Sequence, residues 1–151
     1  MKTKAGEGLM GRDVIISIDG NNVNDEGRRR SVSIVTQGVY DEQNGVHTLR
    51  YTEQDEESGE NVETTILVEG DRVVVSDDLS LTQITFRRGQ RFSSIVEDSR
   101  QVPMEFGVFP TRVRAEMNES GGTLDLRYQT DLDGVVMGDN SIRLSYRQSD
   151  V

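Results

Sequence analysis

Hydrophobic and polar residues alternate along most of this chain, and a period of two is the pattern of a half-buried β-strand. The clearest run covers residues 123–132, where Leu124, Leu126 and Tyr128 alternate with polar neighbours. Other segments repeat the pattern, the last two less cleanly: residues 142–147, 62–69, 112–117, 14–18 and 32–35. No convincing helical period of 3.6 residues appears over a stretch of ten residues. The pattern therefore predicts an all-β protein.

Short turn-forming segments separate these runs at regular intervals. Asn-Gly, Asp-Gly and other glycine-containing pairs supply the positive φ that tight hairpins need. The predicted turns are Asp19–Asn22, Asn44–Gly45, Ser58–Gly59, Glu69–Asp71, Arg88–Gly89, Ser120–Gly122, Asp133–Gly134 and Gly138–Asn140. Pro103 and Pro110 each lack a backbone donor, so they mark an edge, a bulge or a bend. We expect about ten strands, joined mostly by hairpins into one antiparallel meander.

Closure of this meander into a barrel would remove two exposed edges and bury a long hydrophobic face. We therefore predict a single closed β-barrel of about 8–10 strands over residues 12–149, preceded by a flexible leader over residues 1–11. Lining such a barrel takes roughly 30 to 40 inward side chains. Hydrophobic residues make up only 33% of the 151 residues, so we expect little apolar surface to remain outside.

Charge limits the partners that this chain can bind. It carries 17 basic and 27 acidic side chains, a formal net charge of −10, and such a domain repels phosphate backbones unless its cations are gathered into one patch. The basic run Arg28–Arg30 follows two acidic residues and is expected to be a solvated strand end, so we expect no nucleic-acid partner. Residues 1–12 hold no apolar run, which predicts a soluble cytoplasmic protein without a membrane partner.

The sequence lacks the common motifs of catalysis and cofactor binding. It has no Cys and one His, His47, which excludes disulfides and thiolate metal sites and leaves one imidazole base. No nucleophile elbow, phosphate-binding loop, dinucleotide-binding fingerprint or zinc-protease motif occurs. The acidic clusters Asp131–Asp139 and Asp19–Asp25 lack the ligand spacing of an EF-hand. We therefore expect no cofactor and no metal.

Candidate site residues come from the predicted inward faces of the strands. On the strand that contains His47, alternation places Leu49, Tyr51 and Glu53 on the same face as the imidazole. His47 and Glu53 are then roughly 20 Å apart, at opposite rims, and cannot act as a direct pair. Glu53 is either a rim carboxylate bonded to water or Arg, or a ligand contact, and His47 is expected to be mostly exposed beside a turn. The predicted lining of a ligand site is Thr36, Tyr40, Tyr51, Glu53 and Tyr128.

Read in order, several segments resemble the YwiB-like family of small bacterial proteins, whose fold is a calycin-like β-barrel. The matching segments are Thr36–Tyr40, Tyr51–Glu53, Thr64–Val68, Phe86 with Gly89, Met104–Gly107 and Leu124–Tyr128. Their order and spacing together make the match fairly specific, and it spans about residues 13–148. The resemblance implies a calycin- or lipocalin-like barrel and carries no activity with it.

Three functions from different classes follow from these observations. The first is a non-enzymatic barrel that holds a small, partly apolar molecule in its mouth, oriented by Tyr hydroxyls and the Glu53 carboxylate. The alternative is a structural or interaction protein with a filled barrel, whose acidic surface binds a basic protein partner or a second copy of the chain. The third is an enzyme that uses Glu53 or His47 as a general base. We rank the binding barrel ahead of the interaction protein on analogy with calycin-like folds, and the enzyme last because no catalytic constellation is visible.

Overall fold

A computed structural model of the chain describes residues 11–55, 57–78 and 83–149. The predicted leader over residues 1–11 lies outside this part of the chain, apart from Gly11. The described residues form strands and turns and no helix. The strands are β1 (Arg12–Asn24), β2 (Arg29–Gln43), β3 (Val46–Gln54), β4 (Asn61–Glu69), β5 (Arg72–Asp77), β6 (Gln83–Arg87), β7 (Phe92–Glu97), β8 (Pro103–Asn118), β9 (Gly121–Leu132) and β10 (Val135–Gln148).

All ten strands belong to one antiparallel sheet with the order β6-β5-β4-β3-β2-β1-β10-β9-β8-β7. The first and last strands of the chain are neighbours in the middle of this order, and they pair from Val14↔Gln148 to Asn24↔Gly138. The seam lies between β6 and β7, where the bridge Arg87↔Gln90 and a 2.8 Å bond from the Gly89 N–H to the Pro110 carbonyl hold the ends together. The predicted all-β meander is confirmed, and it forms a nearly closed barrel.

The inward face of each strand forms the hydrophobic core. In β9, Leu124 and Leu126 are each 1% exposed, whereas the next residue, Arg127, is exposed. The predicted alternation is therefore confirmed in this strand. The largest fully buried side chains include Ile16, Leu49, Leu124, Leu126, Leu144, Val14, Val73 and Val108. They come from strands all around the sheet, and they hold the barrel together by burial of apolar surface.

The long strands β8 and β10 each carry one shift of register against β9. On β8 the shift falls between Pro110 and Arg112, where a bulge or bend was predicted from the proline. The extra residue is Thr111, whose hydroxyl donates to the Arg127 carbonyl at 3.2 Å. Arg112 therefore stands opposite Arg127, on the outer face of the barrel.

Two of the predicted turns are wrong. Asp19–Asn22 lies inside β1 and Gly138–Asn140 lies inside β10. These polar segments pair with each other, and the Asn22 Nδ2 donates to the Asn140 Oδ1 at 2.7 Å. Asparagine favours turns because its side chain bonds to nearby backbone, and here each amide finds its partner across the ladder instead.

The expectation that little apolar surface remains outside is wrong at the start of β10. Three consecutive side chains, Val135, Val136 and Met137, are 64%, 44% and 47% exposed. They follow the Asp133–Gly134 turn, where the β9–β10 hairpin extends beyond the buried positions of both strands. The strands are longer than the core is deep, so these side chains lie outside it.

Candidate ligand site at one end of the barrel

An open pocket lies at the end of the barrel where β1, β2 and β3 approach the β8–β9 turn. Its volume is about 410 Å³, within the range typical of small-molecule sites. We call it the His47 pocket, and its lining residues are Arg12, Tyr40, Glu42, His47, Met117, Asn118 and Glu119. It combines charged groups at the rim with aromatic and thioether groups below them.

Two stacked tyrosines, Tyr40 and Tyr146, support the His47 pocket, and Tyr40 lines it. Tyr40 is 2% exposed, and its hydroxyl lies 2.7 Å from the Nδ1 of His47. The Tyr40 ring stacks on the Tyr146 ring with centroids 5.1 Å apart and planes inclined by 21°. Beyond it, the Tyr146 hydroxyl donates to the Asn118 carbonyl at 2.6 Å. Packing and hydrogen bonds thus fix both phenol rings.

The expectation that His47 is mostly exposed is wrong, because its ring is half-buried against Tyr40. Their ring centroids are 6.0 Å apart. The Asn44–Gly45 turn folds β3 back on β2 and sets His47 opposite Glu42, whose carboxylate accepts the Gly45 N–H at 2.8 Å. In one tautomer, Tyr40 donates to Nδ1 and the ring proton of His47 lies on Nε2. In the other, Nδ1 carries the proton and donates to the Tyr40 oxygen, and Nε2 is an acceptor. Either way, Nε2 is the ring nitrogen left for a ligand.

Burial is the main cause that raises the pKa of both Tyr40 and Tyr146 above the ordinary value of 10.0. Removing a phenol from water disfavours the charged phenolate. Both hydroxyls therefore keep their protons at neutral pH and can exchange hydrogen bonds, but they are poor bases. The Tyr40 hydroxyl bonds to His47 and the Tyr146 hydroxyl bonds to the Asn118 carbonyl, so the two phenols orient the imidazole and one wall of the pocket.

Charged residues at the rim tie the strand ends together. Arg12 contacts Glu119 with a nitrogen–oxygen distance of 3.0 Å, and both side chains are more than half exposed. Gln148 donates from Nε2 to the Glu119 carbonyl at 3.0 Å. An exposed ion pair adds little stability. These two contacts place the β8–β9 turn beside the start of β1 and the end of β10, where the turn forms one wall of the pocket.

The five residues predicted from the sequence do not all lie in this pocket. Tyr40 lines it, whereas Glu53 stands opposite Val62, six residues further along β3 than His47, near the other end of the strand. Tyr51 stands opposite Thr64 on β4. Its pKa is raised by burial and, less strongly, by the charge of Glu53. Tyr51 and Glu53 thus share one region of the barrel, apart from the His47 pocket.

Tyr128 and Thr36 occupy other parts of the wall. The Tyr128 ring packs edge-on against Phe86, with centroids 5.0 Å apart, and burial raises its pKa. This contact joins β9 to β6 near the seam. Thr36 is half-buried, with its hydroxyl 3.4 Å from the Gln37 carbonyl. A ligand-binding role for Thr36, Tyr51, Glu53 and Tyr128 remains a prediction.

Sequence reasoning missed the other members of the His47 pocket. Arg12, Met117 and Glu119 reach it because β1 and the β8–β9 turn come together at this end. That meeting depends on the register of several strands, for which the local pattern holds no signal.

Within residues 11–55, 57–78 and 83–149, no three acidic or histidine side chains are placed to hold a metal ion. None of the same residues form a helix capable of crossing a membrane.

The fold and this site define a ten-stranded antiparallel β-barrel with a polar pocket at one end. The family described as Domain of unknown function (DUF1934) matches residues 16–144, and the chain belongs to that family. The crystal structure of the ywiB protein from Bacillus subtilis is similar over 95% of this chain and 98% of that chain, with a TM-score of 0.80 and 16% identity. The resemblance to YwiB-like proteins is confirmed, and at this identity the structural likeness shows the fold alone. No curated protein matches the chain.

Proposed function

We propose that this protein binds a small, partly apolar molecule in the His47 pocket without converting it chemically. The observation that carries the proposal is the 2.7 Å contact between Tyr40 and His47 in an open pocket of about 410 Å³. It fixes the imidazole and leaves Nε2 for one directional hydrogen bond. Met117, which also lines the pocket, offers an adaptable apolar surface for the rest of the ligand.

The polar groups around the pocket favour binding over catalysis. A general base must be free to take a proton in the reaction. The carboxylate of Glu42 already accepts the Gly45 N–H at 2.8 Å, and that of Glu119 is paired with Arg12 at 3.0 Å. Both acids are engaged and the phenols stay protonated, so the open Nε2 of His47 stands without a free carboxylate to act with it. The pocket therefore supports recognition of a ligand with an apolar body and one hydrogen-bonding group.

Native mass spectrometry of the protein, purified gently from cells that naturally make it, tests this proposal. We expect an added mass on the order of a few hundred daltons that is lost on denaturation. Tyr40→Phe keeps the ring and removes only the hydroxyl, so it should lower the ligand-bound fraction. Tyr51→Phe makes the same change outside the pocket and serves as the matched comparison. It should leave the ligand-bound fraction unchanged if the ligand lies in the His47 pocket, and lower it if the ligand instead contacts the lining predicted around Tyr51.

Two results would contradict binding at this place. One is an unmodified mass for the parent protein after gentle purification. The other is an added mass that Tyr40→Phe and His47→Leu retain as fully as Tyr51→Phe does. In the first case, the acidic outer surface becomes the next place to search for a partner.

A further inference from the structure

Arginines from distant parts of the sequence gather in a groove on the outer face of the barrel. The groove has a volume of about 300 Å³ and shares no lining residue with the His47 pocket. Its charged lining residues are Arg29, Arg112, Arg127, Arg143, Asp125 and Asp139. Four cations face two carboxylates here, although the whole chain carries a net charge of −10. The groove is therefore positively charged, although the protein as a whole is negatively charged.

Two of these arginines stand directly opposite each other. Arg112 on β8 is the register partner of Arg127 on β9. Like charges in this position destabilise a sheet. Asp125 lies 3.5 Å from Arg112, and it also stands opposite Arg143 in β10. Among the described residues, no ion pair within 4.0 Å involves Arg127 or Arg143.

Both register shifts of the long strands border this groove. On β8, the extra residue Thr111 moves Arg112 to the outer face beside Arg127. On β10, the shift between Val136 and Gly138 precedes the segment in which Ser141 stands opposite Arg127. Bulges commonly redirect side chains beside functional sites. Pairing is thus irregular on both sides of β9. The irregularity on β8 is the one that places Arg112 opposite Arg127.

We propose that this groove binds a compact oxyanion of the phosphate class, either free or carried on a larger molecule. The planar guanidinium presents two parallel donors that match phosphate oxygens, and two opposed arginines can share one such anion. Arg143 and the Ser141 hydroxyl line the same groove as further donors. A bound anion would replace the repulsion between Arg112 and Arg127 with attraction to a common charge.

Isothermal titration calorimetry with inorganic phosphate and with phenyl phosphate tests the site on the full chain at low salt. We expect saturable binding that weakens as salt is added, and a loss of at least about ten-fold in affinity for Arg127→Gln. Arg114→Gln is the matched control, because Arg114 lies on β8 opposite Asp125 but does not line the groove. It should weaken binding by less than about three-fold.

The two probes distinguish the source of the anion. Equal affinities support a free phosphate, and tighter binding of phenyl phosphate supports a phosphate carried on an organic body. The absence of saturable binding for both probes overturns the proposal, as does an equal loss in Arg127→Gln and Arg114→Gln.

Thermal unfolding gives an independent readout. Without anion, Arg127→Gln should unfold at the same temperature as the parent or at a higher one, since it removes a like-charge pair. Phosphate should raise the unfolding temperature of the parent and leave that of the variant unchanged. A lower unfolding temperature for the variant without anion would contradict the repulsion on which the proposal rests.

Discussion

The guanidinium of Arg91 crosses Gly107 to reach the carboxylate of Asp131. Its Nη2 lies 2.7 Å from Oδ1 and its Nε lies 3.2 Å from Oδ2. Gly107 is the register partner of Asp131, and a Cβ at Gly107 would overlap both charged groups. The missing side chain therefore provides the space in which the bidentate pair lies on the outside of the sheet. The hydrogen bonds from Arg91 hold the pKa of Asp131 below its ordinary value of 3.8.

Gly107→Ala should break this pair without unfolding the barrel. The clashing atoms are the ends of flexible side chains, so Arg91 can swing away, and the pKa of Asp131 should rise toward 3.8. The stability that the depressed pKa provides is present above pH 3.8 and is lost as the pH falls through the folded-state pKa. We expect the free energy of unfolding near neutral pH to fall by no more than about 1 kcal/mol.

A carbon-13 NMR titration of the Asp131 carboxyl checks this expectation. Arg91→Gln removes the charged donor without adding a Cβ, and it should raise the same pKa. An unchanged pKa of Asp131 in both variants would show that the pair does not form in solution.

Gly38 and Gly20 provide a second test, because their surroundings differ. A Cβ at Gly38 would lie 2.5 Å from the Arg50 carbonyl oxygen and 2.5 Å from the Ile16 Cδ1, whereas at Gly20 the nearest atom, the Ser141 oxygen, is 4.0 Å away. The carbonyl is fixed in the ladder, so Gly38→Ala should lower the free energy of unfolding by about 1–3 kcal/mol. Gly20→Ala should be neutral or stabilising by up to about 1 kcal/mol. Equal stabilities of the two variants in urea would contradict the packing around Gly38.

The chain has four tyrosines, and burial is the main cause that raises the pKa of each: Tyr40, Tyr51, Tyr128 and Tyr146. Below pH 10.0 the phenols are protonated in both the folded and the unfolded chain. Above it, the unfolded chain loses protons that the folded chain retains, so the free energy of unfolding should fall as the pH rises above about 10 and should go on falling until the folded-state phenols titrate.

The ultraviolet absorbance of tyrosinate measures this effect directly, since the chain has no Trp to mask it. We expect the signal to appear together with the loss of sheet circular dichroism. The same titration in denaturant should show a midpoint near the ordinary value of 10.0. Half of the tyrosinate signal at that pH, with the sheet intact, would contradict the burial of the phenols.

The local pattern of the sequence was sufficient to predict the strands and many of the hairpins. Alternation in residues 123–132 identifies the inward face of β9, because a period of two is a property of each strand alone. The Asn44–Gly45 turn has φ values of 53° and 84°, and the Asp133–Gly134 turn has 50° and 81°, as tight hairpins require. These features depend only on residues close together in the chain.

The features that could not be predicted depend on the pairing of distant strands. Asn22 and Asn140 look like turn residues until the β1–β10 ladder places them opposite each other. Glu119 reaches Arg12 only because the β8–β9 turn comes next to the start of β1. The opposition of Arg112 and Arg127 requires the extra residue on β8. Register and bulges, rather than composition, therefore determine both candidate sites.

Nuclear magnetic resonance of the histidine ring tests binding in the His47 pocket most directly. The chain has one His, so labelling histidine with carbon-13 and nitrogen-15 gives one ring signal that reports on this pocket. The protein is titrated with a low-molecular-weight ultrafiltrate of the cells that naturally make it, and we expect the ring signal to shift saturably. Tyr40→Phe should reduce the shift, whereas Tyr51→Phe should not. A ring signal that stays in place while an added mass is seen on the same sample would contradict binding at Tyr40 and His47.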